Sequence, residues 1–296
     1  MIKELVPSKN GGQIASLPIE KSEQAVLVLE PGREKFSATI PELWRYRELF
    51  YFLAWRDISV KYKQTLLGVS WVIFQPFVSM VVFTIVFGHL VGIQSDNIPY
   101  PLFVLSGIVP WTFFAAAINR SGDSLVNNAS LITKVYFPRL IVPSASALAG
   151  VLDFVVSLLV LFIMMFYYKY LPGLEILAIP LLALLMLFLA VSVGLFFSAT
   201  NVRYRDVRFV TGYIVSIWMY ASPVIYPYSI IPEKYRTIAM LNPMVGVIEG
   251  FRWALLKQPF PAMPLLSSCL FAIVVFLLAQ NYFRRVERTF ADVVLS

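Results

Sequence analysis

Residues 176–200, ILAIPLLALLMLFLAVSVGLFFSAT, form a run without a single charged side chain. A helix needs about 20 such residues to cross the roughly 30 Å of hydrocarbon in a bilayer. The run therefore predicts a membrane-spanning helix. The rest of the chain agrees, because 59% of its 296 residues are hydrophobic and 14% are charged, whereas soluble domains carry roughly 25% charged residues. We expect an all-α integral membrane protein.

Similar apolar runs predict six transmembrane helices within a transmembrane domain over residues 64–283. The other five runs are 66–92, 102–118, 140–168, 209–226 and 265–283. Most of the 24 Lys and Arg residues lie in the first 65 residues, in the segments 119–139 and 201–208, and after residue 283. Such residues accumulate on the cytoplasmic side of a membrane. We therefore expect the N-terminal segment 1–41, which lacks a secretory signal pattern, and the tail 284–296 to be cytoplasmic.

Charge and motif content exclude several classes of function. The net charge of +7 is explained by these Lys and Arg residues on the cytoplasmic side, next to membrane lipids. No nucleic-acid partner is therefore expected. With one cysteine and one histidine, the chain cannot build a disulfide framework or a Cys/His metal cluster by itself. It has no GxxxxGK[ST] loop for ATP, no HExxH motif and no nucleophile elbow. We therefore predict a protein that is not an enzyme and holds no cofactor or metal of its own.

Two apolar stretches do not fit simple spans. Residues 42–63 place the short apolar segment from Leu49 to Trp55 between charged flanks. That segment is too short to cross a bilayer, so it predicts an amphipathic helix at the membrane interface. Residues 227–264 are apolar but interrupted by prolines. They predict a re-entrant outer hairpin between the fifth and sixth spans, because irregular backbone at membrane depth must be shielded by protein.

Two polar side chains fall inside predicted spans. Asp153 lies near the middle of the third run, where a carboxylate must be paired, protonated or hydrated. Either it has a role in transport, or it makes a packing hydrogen bond to a neighbouring Ser or Tyr. Gln75 lies with Trp71 and Phe74 beside Pro76, which is expected to kink the first span. These side chains face either lipid or a transport pathway.

The stretch 131–143, LITKVYFPRLIVP, sets a lysine, an arginine and two prolines between two apolar runs. This pattern predicts a short amphipathic helix in the cytoplasm that stops at Phe137–Pro138 and leads directly into the third span. A rigid helix in that position transmits a push from another protein better than a flexible loop does.

Six ordered segments are similar to one known family. They are WRDISVKYKQTLLGVSWVIFQPF (55–77), GIVPWTFF (107–114), NNASLITKVYFPRLIVP (127–143), NVRYRDVRF (201–209), SPVIYP (222–227) and LNPMVGVIEGFRWALL (241–256). From about residue 40 onwards, the chain resembles the membrane subunits of ABC-2-type exporters of O-antigen, capsule and teichoic acid. The resemblance implies a permease for a lipid-linked polysaccharide in the bacterial inner membrane. An exporter of small lipids or drugs is the alternative, and an ion-coupled transporter that uses Asp153 is a third class.

The resemblance also implies partners and site residues. It implies a homodimer on a separate cytoplasmic ATPase dimer, which binds ATP and Mg²⁺. The residues that would couple to the ATPase are Arg47, Arg56, Ser130, Lys134, Tyr136, Phe137, Arg139, Arg203, Arg205 and Asp206. Those that would line the pathway are Trp71, Phe74, Gln75, Tyr213, Trp218 and Tyr220. Those at the outer gate are Pro223, Tyr226, Asn242, Pro243, Glu249 and Arg252.

Overall fold

The computed structural model describes residues 44–63, 68–93, 95, 98–135, 137–204 and 206–287. Within these ranges all regular secondary structure is helical, which confirms the all-α class. The α-helices are α1 (Arg47–Lys63), α2 (Gly68–Phe83), α3 (Tyr100–Asn127), α4 (Ala129–Lys134), α5 (Ile141–Leu148), α6 (Val151–Tyr167), α7 (Ile179–Arg203), α8 (Val207–Tyr220), α9 (Glu233–Met240), α10 (Pro243–Leu256) and α11 (Ala262–Glu287). A π-helical segment, Thr84–Leu90, continues α2, and 3₁₀ turns lie at Leu174–Ala178 and Tyr228–Ile230.

Several of these helical segments are long and apolar enough to cross a bilayer. They are Ser70–Leu90, Tyr100–Asn127, Ile141–Tyr167, Leu174–Arg203 and Ala262–Glu287. The chain is therefore an integral membrane protein. The second segment, α3, continues to Asn127, beyond the predicted end at residue 118. In these last turns Arg120 and Asp123 form ion pairs with Asp153 and Arg208 of neighbouring elements.

The predicted span over residues 209–226 corresponds to α8 and the turn that follows it. At 14 residues, α8 is about 21 Å long, which is shorter than the roughly 30 Å of hydrocarbon. The chain then turns through residues 221–226. The count of six spans and the re-entrant hairpin stay predictions.

Much of the apolar region 227–264 is buried in the bundle. Its principal helix, α10, is buried along most of its length and contacts α3, α7 and α11. Asn242 precedes the first residue of this helix, and its side-chain oxygen accepts a hydrogen bond from the backbone N–H of Met244 at 3.1 Å. This is a normal N-cap. The shorter α9 beside it has no buried residues.

The centre of the bundle is α3, which is buried along most of its length and contacts α2, α5, α6, α7, α8 and α10. Small residues bring the backbones of these neighbours close to it, as is usual for helices packed in membranes. Gly194 of α7 lies directly against Ser121 of α3. Gly107 of α3 lies against the backbone of Val224, and a Cβ atom at Gly107 would be 2.6 Å from that carbonyl oxygen. Side chains larger than hydrogen are excluded at such contacts.

We expect Gly107→Ala to destabilise the protein by about 2 kcal/mol, the usual cost of forcing extra volume into a packed core. The measurement is the midpoint of thermal unfolding of the purified protein in detergent. The matched control is Gly212→Ala on α8, where a new Cβ would meet no atom within 4 Å. That change is expected to be neutral or to stabilise the helix by up to about 1 kcal/mol. Equal midpoints for the two variants would contradict the close approach at Val224.

Candidate functional site

The helix α1 carries the predicted interfacial segment, and polar bonds hold it to the bundle. Its inner face buries Leu53 and Ala54. Asp57 accepts a hydrogen bond from the hydroxyl of Ser146 in α5 at 2.9 Å. The half-buried Arg56 donates to Asp57 and also to the side-chain oxygen of Asn128, between α3 and α4, at 2.7 Å. The helix is thus attached to α5 and to the C-terminal end of α3.

The outer side of α1 is rich in exposed aromatic and charged side chains. Trp55 is exposed and stacks on Tyr51 with a centroid distance of 6.4 Å. Arg47 is exposed, and its guanidinium lies 5.5 Å from the ring centroid of Trp44. Aromatic rings with basic neighbours are typical of helices at a membrane interface.

Asp153 is the centre of a charged cluster that joins three helices. The third apolar run is divided into α5 and α6 at Ala149–Gly150, and this division places Asp153 in the first turn of α6. Lys61 of α1 forms an ion pair with Asp153, and the Tyr62 hydroxyl donates a hydrogen bond to it. Arg120 of α3 contributes a second cation, with Nη2 2.9 Å from the Asp153 carboxylate.

The cluster identifies the partners of Asp153. Of the expected Ser and Tyr partners, a tyrosine is present, but two cations that the sequence did not link to Asp153 accompany it. Burial and the hydrogen bond to Asp153 raise the pKa of the Tyr62 hydroxyl, so it remains a donor at neutral pH. The carboxylate is thereby satisfied by α1 and α3, as charged groups in membrane helices generally must be.

The first predicted coupling segment has an exposed and a buried half. Ser130 and Lys134 of α4 are exposed. Phe137 is buried in the core beneath α4, so its side chain is unavailable for direct contact with a partner. Arg139 donates to the backbone carbonyl of Glu287 at the end of α11 at 3.0 Å. Tyr136 lies outside the described residues.

The second predicted coupling segment connects α7 and α8. Arg203 and Asp206 are exposed, and Arg205 lies outside the part of the chain that the structure describes. The segment is held against α3 by Asp123, which pairs with Arg208 at 3.2 Å and accepts a hydrogen bond from the Asn201 amide at 3.1 Å. Both predicted coupling segments thus lie next to the C-terminal end of α3.

The predicted pathway residues occupy two helices that both contact α3. On α2, Trp71 and Phe74 are each 55% exposed, and Gln75 is exposed beside them. On α8, Tyr213 and Tyr220 are exposed. Each helix therefore presents aromatic side chains on a face that one chain leaves uncovered.

Trp218 lies on the opposite face of α8 from the exposed tyrosines. Its ring packs edge-on against Trp111 and Phe114 of α3, with centroid distances of 6.4 and 5.3 Å. Its indole N–H donates to the side-chain oxygen of Asn242 at 2.9 Å. Within the described residues Trp218 is thus part of the packing between α3, α8 and α10, not of an uncovered face.

The predicted outer-gate residues surround the turn 221–226. Arg252 of α10 is 1% exposed and forms an ion pair with Glu249 at 2.8 Å. It also donates to the carbonyl of Val224 at 3.0 Å, and its guanidinium lies 3.7 Å from the ring centroid of Phe103. These contacts fix the turn against α3 and α10.

Asn242 attaches the same turn to the start of α10. Its amide nitrogen donates to the carbonyl of Ala221 at 3.1 Å and to the hydroxyl of Ser222 at 2.9 Å. Pro223 and Pro243 are buried and Tyr226 is half-buried. The predicted outer-gate residues therefore form one packed unit with the turn, and this unit joins α8 to α10.

Sequence reasoning missed Lys61, Tyr62 and Arg120 as partners of Asp153, because they are far from it in the chain. The only available signal was the cost of a carboxylate inside an apolar run, which requires some partner. As for metals, no group of three or more His, Cys, Asp or Glu side chains is placed to hold an ion among the described residues.

These features define a multi-pass membrane protein in which charged side chains pair inside a helical bundle. The chain belongs to the ABC-2 type transporter family, which matches residues 48–256. It is similar to the O-antigen export system permease protein RfbA of Myxococcus xanthus, with 26% identity over 86% of this chain and 98% of that protein. The protein of the same name from Klebsiella pneumoniae is 28% identical over 69% of this chain and 79% of its own length. The polysialic acid transport protein KpsM of Escherichia coli is 25% identical over 68% of this chain and 78% of its own length.

We expect Asp153→Ala to destabilise the protein by about 2 kcal/mol, because it leaves two half-buried cations without their carboxylate, a case between an exposed and a fully buried pair. The measurement is again the thermal unfolding midpoint in detergent. The control is Glu233→Ala, since Glu233 is 90% exposed and lies 3.8 Å from Arg236. Exposed pairs of this kind contribute less than about 1 kcal/mol. A midpoint for Asp153→Ala equal to that of Glu233→Ala would show that the cluster does not stabilise the bundle.

Proposed function

We propose that this protein is the permease subunit of an ATP-driven exporter of a lipid-linked polysaccharide such as O-antigen. The observation that carries the proposal is the similarity to an O-antigen export permease over 98% of that protein's length, within a shared ABC-2 family. Two further relatives carry polysaccharide-related names. A separate ATPase dimer would bind ATP and Mg²⁺ and supply the energy.

A homodimer with the pathway between its two copies is the second part of the proposal. The exposed aromatic faces of α2 and α8 support it, because rings offer flat contact areas to sugars. Contacts of this kind need no fixed register, as with bases that stack along a protein groove, so a polymer can slide. In this arrangement α8 would complete the sixth span, and the unit around Arg252 would lie at the outer end.

Coupling to the ATPase is assigned to the surface formed by α1, α4 and the segment between α7 and α8. The support is geometric, since all three lie beside the C-terminal end of α3, the central helix of the bundle. Ser130, Lys134, Arg203 and Asp206 are exposed there and available for contact. This surface, together with both termini, would face the cytoplasm from the bacterial inner membrane.

The paired state of Asp153 bears on the ion-coupled alternative. A coupling acid must gain and lose its proton during transport, whereas two cations and a phenol stabilise the charged form of Asp153. This arrangement favours a structural role. An exporter of small lipids or drugs would share the topology, and the polymer-length experiment below separates it from the proposed function.

We expect Lys134→Glu to reduce export by at least about tenfold, because a reversed charge at an interface opposes the partner's complementary charge. Export is measured as polysaccharide at the cell surface, with the permease level checked by immunoblotting. The control is Lys234→Glu on α9, an exposed lysine that would lie on the outer side. Normal export by Lys134→Glu at normal permease level would remove α4 from the coupling surface.

We expect Phe74→Ala and Tyr213→Ala each to slow export of long polymer by about fivefold, since each removes an aromatic contact. Short oligosaccharides on the same lipid are expected to be affected less, because they make fewer contacts in sequence. Chain-length distributions of exported polymer on gels provide the measurement. Phe166→Ala on α6 is the control, as Phe166 is 79% exposed on another helix. If both pathway variants behave like Phe166→Ala, the two rings face lipid.

A further inference from the structure

A cavity of about 130 Å³ opens between α1, α2, α3 and α6, next to the Asp153 cluster. Its walls come from α1 and from the first three spans of one chain. Its polar and aromatic walls are formed by Trp71, Gln75, Thr112, Arg120, Asp153 and Ser157. The cavity therefore combines an indole ring with neutral and charged hydrogen-bonding groups inside a membrane bundle.

Two groups on this wall have hydrogen-bonding capacity that the protein does not use. Ser157 is only 5% exposed, yet its hydroxyl has no hydrogen bond to any described residue. The Gln75 side chain is exposed, and its amide also has no hydrogen bond to any described residue. Buried polar side chains normally have a partner, and a buried hydroxyl in a roomy polar cavity is where a ligand can supply one.

Two cations, Lys61 and Arg120, and one carboxylate, Asp153, line the cavity, and Nη1 of Arg120 is buried without a hydrogen-bond partner among the described residues. Asp153 is bonded to Lys61, Tyr62 and Arg120 together. An anionic ligand would have to compete with this carboxylate for the same cations. The groups that remain for a ligand are therefore the neutral side chains of Ser157 and Gln75, one nitrogen of Arg120 and the face of Trp71.

We propose that this cavity binds a single neutral pyranose unit of the transported glycan. A pyranose has an apolar C–H face that can lie against the indole of Trp71 and hydroxyl groups that both donate and accept. Those hydroxyls would pair with the Ser157 hydroxyl and the Gln75 amide. The inference rests on the proposed export of polysaccharide, and it places one sugar contact in a cavity whose walls all belong to a single protomer.

The test uses the purified full chain in a detergent without a sugar or phosphate headgroup. Saturation-transfer NMR is recorded with the methyl glycosides of glucose, mannose and galactose, and with glycerol phosphate as an anionic probe. Ser157→Ala and Gln75→Leu each remove one neutral hydrogen-bonding group without adding volume to the core. Each is expected to weaken binding of the recognised glycoside by about fivefold. The control is Ser106→Ala, a buried serine whose hydroxyl bonds the Phe103 carbonyl of its own helix at 2.7 Å.

The outcomes separate the proposed site from the proposed function. Binding of a glycoside that is weakened in both variants and retained in Ser106→Ala, with slower export by the two variants, supports the site. No glycoside binding at millimolar concentration, equal binding by all proteins, or preferential binding of glycerol phosphate overturns it. Normal export by variants that have lost glycoside binding also overturns it and leaves the proposed function intact. Absence of polysaccharide export by the wild-type protein with its ATPase would instead refute the proposed function.

Discussion

Hydrocarbon cannot solvate charges or unpaired peptide groups, and this constraint accounts for most of the architecture. It makes the described secondary structure helical, because only a helix satisfies its backbone within one segment. It also requires each charged side chain inside the bundle to find a partner. Asp153 is satisfied by Lys61, Tyr62 and Arg120. Arg252 is satisfied by Glu249 and the carbonyl of Val224. At both clusters, polar contacts join side chains of separate elements.

Both clusters add directional polar contacts between elements that also pack through apolar side chains. The Asp153 cluster joins α1 to α3 and α6, and a second set of bonds around Asp57 joins α1 to α5. Apolar packing is non-directional, whereas a shared carboxylate fixes the position of one helix relative to another. In the proposed exporter, a displacement of α1 would therefore move α3 and α6, which line the cavity together with α2. The Arg252 cluster similarly fixes the turn after α8 to α3 and α10. Rigid connections at the two ends of α3 suit a subunit that is moved by a partner.

The same chain leaves aromatic surface uncovered on α2 and α8. Trp71, Phe74 and Tyr213 are exposed, while Trp218 on the same helix as Tyr213 is packed against α3. The difference arises because α8 has one face on the bundle and one face away from it. An uncovered face of a membrane helix meets lipid, a second copy or a substrate, and the aromatic composition of these two faces is the basis for the proposed dimer and pathway.

The sequence by itself determined that the protein is a helical membrane protein. The length of an apolar run such as 176–200 and its lack of charged residues can be read from the sequence alone. The sequence also showed the need for a partner at Asp153. The tertiary structure alone decided which residues meet that need, since Lys61 and Arg120 are brought to Asp153 by helix packing and not by spacing along the chain. It likewise buried Phe137 and packed Trp218 against α3, although both share their sequence neighbourhoods with exposed residues. A pattern of residue types specifies the environment that a side chain requires, but the partner across a helix interface is fixed only when the helices pack.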